Sequence, residues 1–532
     1  MKMMKQNNII SKIVIFTFVI AFVISGREAP CQYSASASKA MVVAPTPEAV
    51  EAGLSILRQG GNAIDAAAAT AFALMVTDPA MCSLGGRSQI LIYTKAGRAI
   101  VIDGATQSPR LASEPADMGH GYRTCPIPGS PAALEEMVEK YGSLPMRIMV
   151  KPAIQLARAG FVIKKEHHES FRKYGKRFRL YPGTAKHFLK EDGSCYSEGE
   201  RFVQPALART LEIIADEGAG VLYRGKLARV IIDDMLSNGG LIREDDLAQF
   251  RPLSGQVVEG TYRDYDILSR GGQCDGASVI EVLQILEHFP LSEFQRTDPQ
   301  YLHLLAQAMY LGHADEYLPD WQQVSKALAA RRLREIDETQ ALAVPVKPAS
   351  SANEGKTNHL SVIDEAGNAV SLTQSIGPAF GSKVVNPELG FFYAYSYDMN
   401  SDPVPYQREK TSQSPTIVLR DGKPFLVIGS AGSSRIPASI VQTIINVIDH
   451  KLSLEQAVAA PRLFLTENKL RMEVMGFPES TLQKLGELGY KIKQYDEIDG
   501  WFGRIHAIMV DASAKKLYGA ADPRDNGAVG GF

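Results

Sequence analysis

Thr357 stands where a polar stretch gives way to strand-forming sequence. Residues 350–356 (SSANEGK) carry no apolar periodicity and read as a loop. Beyond them, Leu360, Val362 and Ile363, then Ala369, Val370 and Leu372, form two β-prone runs either side of Glu365-Ala366-Gly367-Asn368. That pattern predicts a hairpin with a glycine-containing four-residue connection. A threonine hydroxyl is a weak nucleophile unless a base lies beside it. At a chain N-terminus it carries its own base, because a free α-amine titrates near about 8. A cut between Lys356 and Thr357, in an accessible loop entering a fixed strand, would convert Thr357 into a nucleophile. The competing reading is a threonine that merely opens a strand, and local pattern alone favours it.

The elements needed to hold such a site are visible along the chain. Pro45-Thr46-Pro47 opens a helix with Val50, Leu54, Ile56 and Leu57 on its apolar face, closed by Gly60-Gly61. Asn62 caps a second, alanine-rich helix that runs to Asp78-Pro79, and Gly85-Gly86 precedes two strand-like runs, Gln89–Tyr93 and Ala99–Ile102. Two helices are expected between Gly129 and Gly160, and residues 163–250 read as largely helical and charged. Tyr262–Leu268 has strand character, Ala277–Phe289 reads as a long amphipathic helix, and Tyr301–Tyr310 as another. The Ala-, Pro- and Ser-rich stretch 325–356 is expected to be a linker. Thr416–Leu419 and Pro424–Ile428 form a second hairpin, and Gly429–Arg435 leads into a helix with Pro437 in its first turn. This order of elements implies an α+β protein with helices layered outside antiparallel sheets.

Composition excludes several functions. A formal net charge of −2 over 532 residues offers no electrostatic argument for binding nucleic acid or an anionic membrane. The ten His show no HxxxH or HxH cluster and the five Cys no CxxC, so neither a metal nor another cofactor is expected. Irregular spacing of Cys82, Cys125, Cys195 and Cys274 suggests no disulfide framework. Lys2, Lys5 and Lys12 precede the apolar run Ile13–Ser25, whose thirteen residues fall short of the roughly 20 a membrane span needs. The run fits a signal peptide, with residues 1–37 as leader and export to the periplasm or exterior. Ala35-Ser36-Ala37 offers one small-residue cut site; left uncleaved, the segment would tether the protein.

Further stretches bear on Thr357. Gly60–Ala66 (GGNAIDA), Gln155–Phe161 (QLARAGF), Thr357-Asn358-His359 and Gly367–Thr373 (GNAVSLT) are four of them. Ser414–Ile417 (SPTI), Gly429–Ile436 (GSAGSSRI) and Ala521–Arg524 (ADPR) are three more. Together they resemble the γ-glutamyltransferase (γ-glutamyl transpeptidase) family, in consistent order over roughly residues 40–532. The resemblance implies an N-terminal-nucleophile hydrolase with a four-layer αββα sandwich. It implies a self-processing precursor cut between Lys356 and Thr357 into a large subunit, 38–356, and a small subunit, 357–532, with Thr357 as nucleophile. It places Ser375 where a hydroxyl bonds the nucleophile, and Gly432 and Ser433 where two backbone N–H groups form the oxyanion hole. A helix N-terminus behind that pair suits developing negative charge. Thr411 and Ser412 fall on paired hydroxyls that touch the substrate carboxylate.

Recognition of the acyl group departs from the family. The arginine that holds a γ-glutamyl α-carboxylate falls on Ala105, and the α-amine ligands fall on Gly377, Ser396 and Met399, with Asp398 one position away. Arg87, where the family commonly has a third glycine, and Arg110 are candidate replacements, or ordinary packing and surface residues. The expected substrate is a small-molecule amide cleaved through an acyl-enzyme, by hydrolysis or transfer to an acceptor amine. Its acyl group is γ-glutamyl or another, such as a dicarboxylic monoamide. A ligand-binding relative with little turnover is the third reading.

Overall fold

A computed structural model describes residues 33–532 except 117–118, 315–323, 343–354 and 467–468. The expected signal segment and most of the stretch preceding Thr357 lie outside the described residues. Two seven-stranded sheets are built from fourteen strands. These are β1 (Ser34–Ala37), β2 (Met41–Ala44), β3 (Arg87–Tyr93), β4 (Ala99–Gly104) and β5 (Leu253–Ser254). Next come β6 (Val257–Tyr262), β7 (Tyr265–Arg270), β8 (Gly355–Ile363), β9 (Ala369–Pro378) and β10 (Thr416–Arg420). The last are β11 (Lys423–Ala431), β12 (Arg504–Asp511), β13 (Lys516–Ala521) and β14 (Ala528–Gly531). One sheet has the order β14-β2-β8-β9-β3-β4-β5 and the other β1-β13-β12-β11-β10-β7-β6.

Alternation along the strands sorts side chains between two cores. Ile363, Leu91, Tyr93, Ile417, Val427 and Ile508 fill the space between the sheets. Leu360 and Val362 point the other way, into a core shared with helices α1 (Pro47–Arg58), α2 (Ala63–Thr77) and α3 (Met146–Ala159). The second sheet packs its outer face on α4 (Gly276–Leu286), α5 (Pro299–Ala314) and α6 (Ile436–Ile448). The result is the expected α+β four-layer sandwich. Every residue of α2 is buried, and small side chains let it lie close to its neighbours: a Cβ on Gly53 of α1 would fall 2.3 Å from Thr70 Oγ1. Asn62 caps α2 reciprocally with Asp65. The Asp364 carboxylate accepts the Ala63 N–H at 2.9 Å, which ties the far end of the β8–β9 hairpin to α2.

Three sequence expectations need correction. Residues 325–356 are not all linker: Ser325 caps a helix, Lys326–Leu333, that buries Leu328 and Ala329. Tyr262–Leu268 is not one strand but the join of β6 and β7, which turn at Arg263 and Asp264. No glycine marks that turn; Arg263 itself takes φ 52°, held by Asp449 at 3.0 Å. The strand carrying Thr357 begins earlier than expected, at Gly355, pairing Lys356 with Gly377 before a register shift between Lys356 and Thr357. Lys356 is thus the last paired residue before a β-bulge rather than part of a free loop.

Candidate active site

Thr357 on β8 lies opposite Ser375 on β9, and Ser375 opposite Arg87 on β3. Counting back from Ile363 and Leu91, Thr357 and Arg87 both project toward the opposing sheet, and directly opposite residues share a face. Thr357 is 5% exposed. The Ser375 hydroxyl donates to the Lys356 carbonyl at 2.8 Å and accepts from the Gly377 N–H at 3.0 Å. Its hydrogen bond therefore falls on the carbonyl of the peptide joining Lys356 to Thr357, at the bulge.

Gly432 and Ser433 close the end of β11 and start the turn Ser433–Arg435, which packs on β8 and leads into α6. Gly432 has φ 145°, and a Cβ there would sit 2.9 Å from Gly503 Cα. Ser433 has φ 58°, a conformation costing a non-glycine residue about 1 kcal/mol or more. Arg435 pins the turn: its Nε donates to the Trp501 carbonyl at 3.0 Å, and its guanidinium lies 4.7 Å from the Trp501 ring centroid.

Ser396, Asp398, Thr411 and Ser412 lie along residues 396–412, a stretch that Glu409 links to Arg87. The Ser396 hydroxyl, fully buried, donates to Glu409 Oε2, and Glu409 Oε1 accepts the Tyr397 N–H at 2.7 Å. Asp398 is partly exposed and accepts the Lys410 N–H at 3.1 Å. Thr411 donates its N–H to the Gln273 carbonyl at 3.1 Å, while its hydroxyl accepts the Gln413 N–H at 3.3 Å. The Ser412 carbonyl accepts the Ser414 hydroxyl at 3.0 Å. Ala105 is buried; its N–H goes to Asp103 and its carbonyl accepts from Arg408. Arg110 is exposed, whereas Arg87 is 4% exposed and its Nη1 is 3.5 Å from Glu409 Oε1. Burial pushes the Glu409 carboxyl up to about 7, against the pull of Arg87.

Glu409 and Tyr397 were not anticipated. Glu409 is two positions before Thr411 in a polar stretch, where a buried carboxylate gives no local signal. Among the described residues no group of three or more His, Cys, Asp or Glu is arranged to hold a metal ion.

A model of the gamma-glutamyltranspeptidase family matches residues 49–532. The chain belongs to that family. It is 32% identical to the glutathione hydrolase proenzyme of Escherichia coli (strain K12), over 94% of this chain and 93% of the relative. It is 33% identical to the acylase ACY 1 proenzyme of Pseudomonas sp. (strain SE83), over 93% of each. The cephalosporin acylase of Bacillus halodurans superposes with a TM-score of 0.86 at 28% identity, covering 96% of this chain and 99% of that one. As a gamma-glutamyltranspeptidase-family protein, the chain is an N-terminal-nucleophile hydrolase. Relatives named glutathione hydrolase and acylase stand at nearly equal identity, so kinship alone does not select the substrate.

Proposed function

We propose that this family member is made as a precursor, cuts itself between Lys356 and Thr357, and then cleaves a small-molecule amide with Thr357 as nucleophile. The observation that carries this reading is the 2.8 Å hydrogen bond from Ser375 Oγ to the Lys356 carbonyl, at the bulge beside Thr357. In processing, Thr357 Oγ bonds to the Lys356 carbonyl carbon, the C–N bond breaks, and the α-amine takes a proton. Water then hydrolyses the ester and frees the Lys356 carboxylate. In turnover the α-amine of Thr357 accepts the hydroxyl proton as Oγ attacks the substrate carbonyl, and that proton leaves with the departing amine. The Gly432 and Ser433 N–H groups serve the oxyanion. Water, or an acceptor amine, resolves the acyl-enzyme. The word proenzyme in the names of both relatives supports the processed, two-subunit form.

Export is part of this reading and rests on the Ile13–Ser25 run behind three lysines. Because Ser34–Ala37 pairs with β13, leader removal upstream of Ser34 fits better than a cut after Ala37.

Denaturing electrophoresis of the purified protein tests the proposal. In proportion to length, the 58.0 kDa chain, once its leader is removed, should give pieces of about 35 and about 19 kDa, the smaller beginning at Thr357 on N-terminal sequencing. Thr357→Ala should leave one uncut band and no amidase activity. Active protein that runs as a single uncut band would falsify the mechanism.

A further inference from the structure

Arg87 is a buried charge that the proposed bond-making steps do not use. Its Nε and Nη1 have no hydrogen-bond partner among the described residues. Burying a guanidinium costs several kcal/mol unless its donors are met. Glu409 compensates only in part: it approaches no closer than 3.5 Å, and its two oxygens already accept from the Tyr397 N–H and the Ser396 hydroxyl. The Tyr397 hydroxyl, within the electrostatic reach of Arg87, is likewise buried without a partner. Arg87 is two strands from Thr357, about 10 Å between backbones at the usual strand spacing. A short acyl chain held at Thr357 spans that distance once the arginine side chain reaches in.

We propose that Arg87 is a specificity-determining residue that binds a carboxylate on the acyl group of the substrate, with Glu409 positioning its guanidinium. This rests on the acyl-enzyme reading above. A buried guanidinium whose donors the protein does not fully meet suits a carboxylate, and charge-assisted pairs of this kind are the strong ones. For an α-amine the provision is thinner, resting on the partly exposed Asp398 carboxylate. Of the three positions expected to hold it, Gly377 and Met399 bring no polar side chain, and the Ser396 hydroxyl is committed to Glu409. The carboxylate is therefore the recognised group, whether it comes from a dicarboxylic monoamide or from a γ-glutamyl compound, which carry it at the same distance from the amide.

The test uses processed protein and three anilides: glutaryl, γ-glutamyl and butyryl, the last lacking the carboxylate. In the wild type, kcat/KM for at least one carboxylated anilide should exceed that for butyryl by about 30-fold or more. The ratio of glutaryl to γ-glutamyl then tells which source of carboxylate is preferred. In Arg87→Met the selectivity over butyryl should collapse, mainly through KM, and in Arg87→Lys it should fall while keeping the charge. A wild type that treats butyryl as well as both carboxylated anilides overturns the proposal. So does an Arg87 variant that loses activity on all three in equal measure. If neither variant folds, inhibition of the wild type by glutarate and by butyrate decides, and equal inhibition overturns it. The acyl-enzyme reading is tested separately, by whether Thr357→Ala abolishes turnover of every anilide.

Discussion

The Ser375 hydroxyl donates to the Lys356 carbonyl and accepts from the Gly377 N–H, so its proton is aimed at the oxygen that becomes negative if Thr357 attacks. A donor in that position is worth about 10²-fold in rate when it stabilises an oxyanion. Ser375→Ala should therefore slow processing by about that factor, and Ser375→Thr, which restores the hydroxyl, should recover most of it. Conversion of precursor to two bands over time measures this; wild-type speed in the alanine variant would remove Ser375 from the reaction. At this scale the sequence was most informative where a residue's role depends on its neighbours along the chain. Thr357, Ser375, Gly432 and Ser433 stand in or beside stretches that resemble the family. Arg87 is legible only as one of two candidates, and Glu409 not at all. The first opens the strand Arg87–Tyr93 ahead of Ser88 and Gln89, the second lies in a polar loop, and only the fold brings them within 3.5 Å and buries both.

Among the elements, β8 and β9 were legible because a two-residue alternation and a glycine turn were both present. The helix Lys326–Leu333 was missed because its composition is as biased as the linker around it, and the β6–β7 turn because Arg263 stands where a glycine is usual. Packing between the sheets was not legible at all. His359 on β8 lies against Gly429 on β11, where an added Cβ would be 2.2 Å from the ring, and Gly429 pairs with His506 on β12. Burial pushes the His506 imidazole down to about 4, with Asp525 and Asp522 opposing and Arg504 assisting. In the unfolded chain the ring titrates near about 6.5. Above that value both states are neutral and the group is silent. As pH falls from about 6.5 to about 4, the unfolded chain takes up a proton that the folded one refuses, so stability is lost by up to about 3 kcal/mol. Urea unfolding between these pH values should show that slope, and His506→Asn should lessen it, since burial holds the His359 and His167 imidazoles down as well. An unchanged slope would mean that other groups carry the acid sensitivity.

For the whole molecule, the order of strands matters more than their number. Cutting before Thr357 leaves β8 and β9 between β2 and β3, and β10 beside β7, so each sheet is hydrogen-bonded across the two pieces. At the margins β14 pairs with β2 and β1 with β13, again joining early chain to late chain. In the precursor these pairings close loops within one chain. After the cut the same sheets must be rebuilt from separate molecules, at an added association cost of about 4–15 kcal/mol. Thr357→Ala precursor is therefore expected to refold from urea with a yield independent of protein concentration. Denatured mature protein should recover poorly, and better as concentration rises; equal recovery would show that the pieces find each other unaided. A chain processed as proposed would then be a one-way product, held by its unfolding barrier rather than by a reversible equilibrium. On the proposed processing, the peptide bond given up to expose the Thr357 amine is the same bond that lets the chain reach its shape.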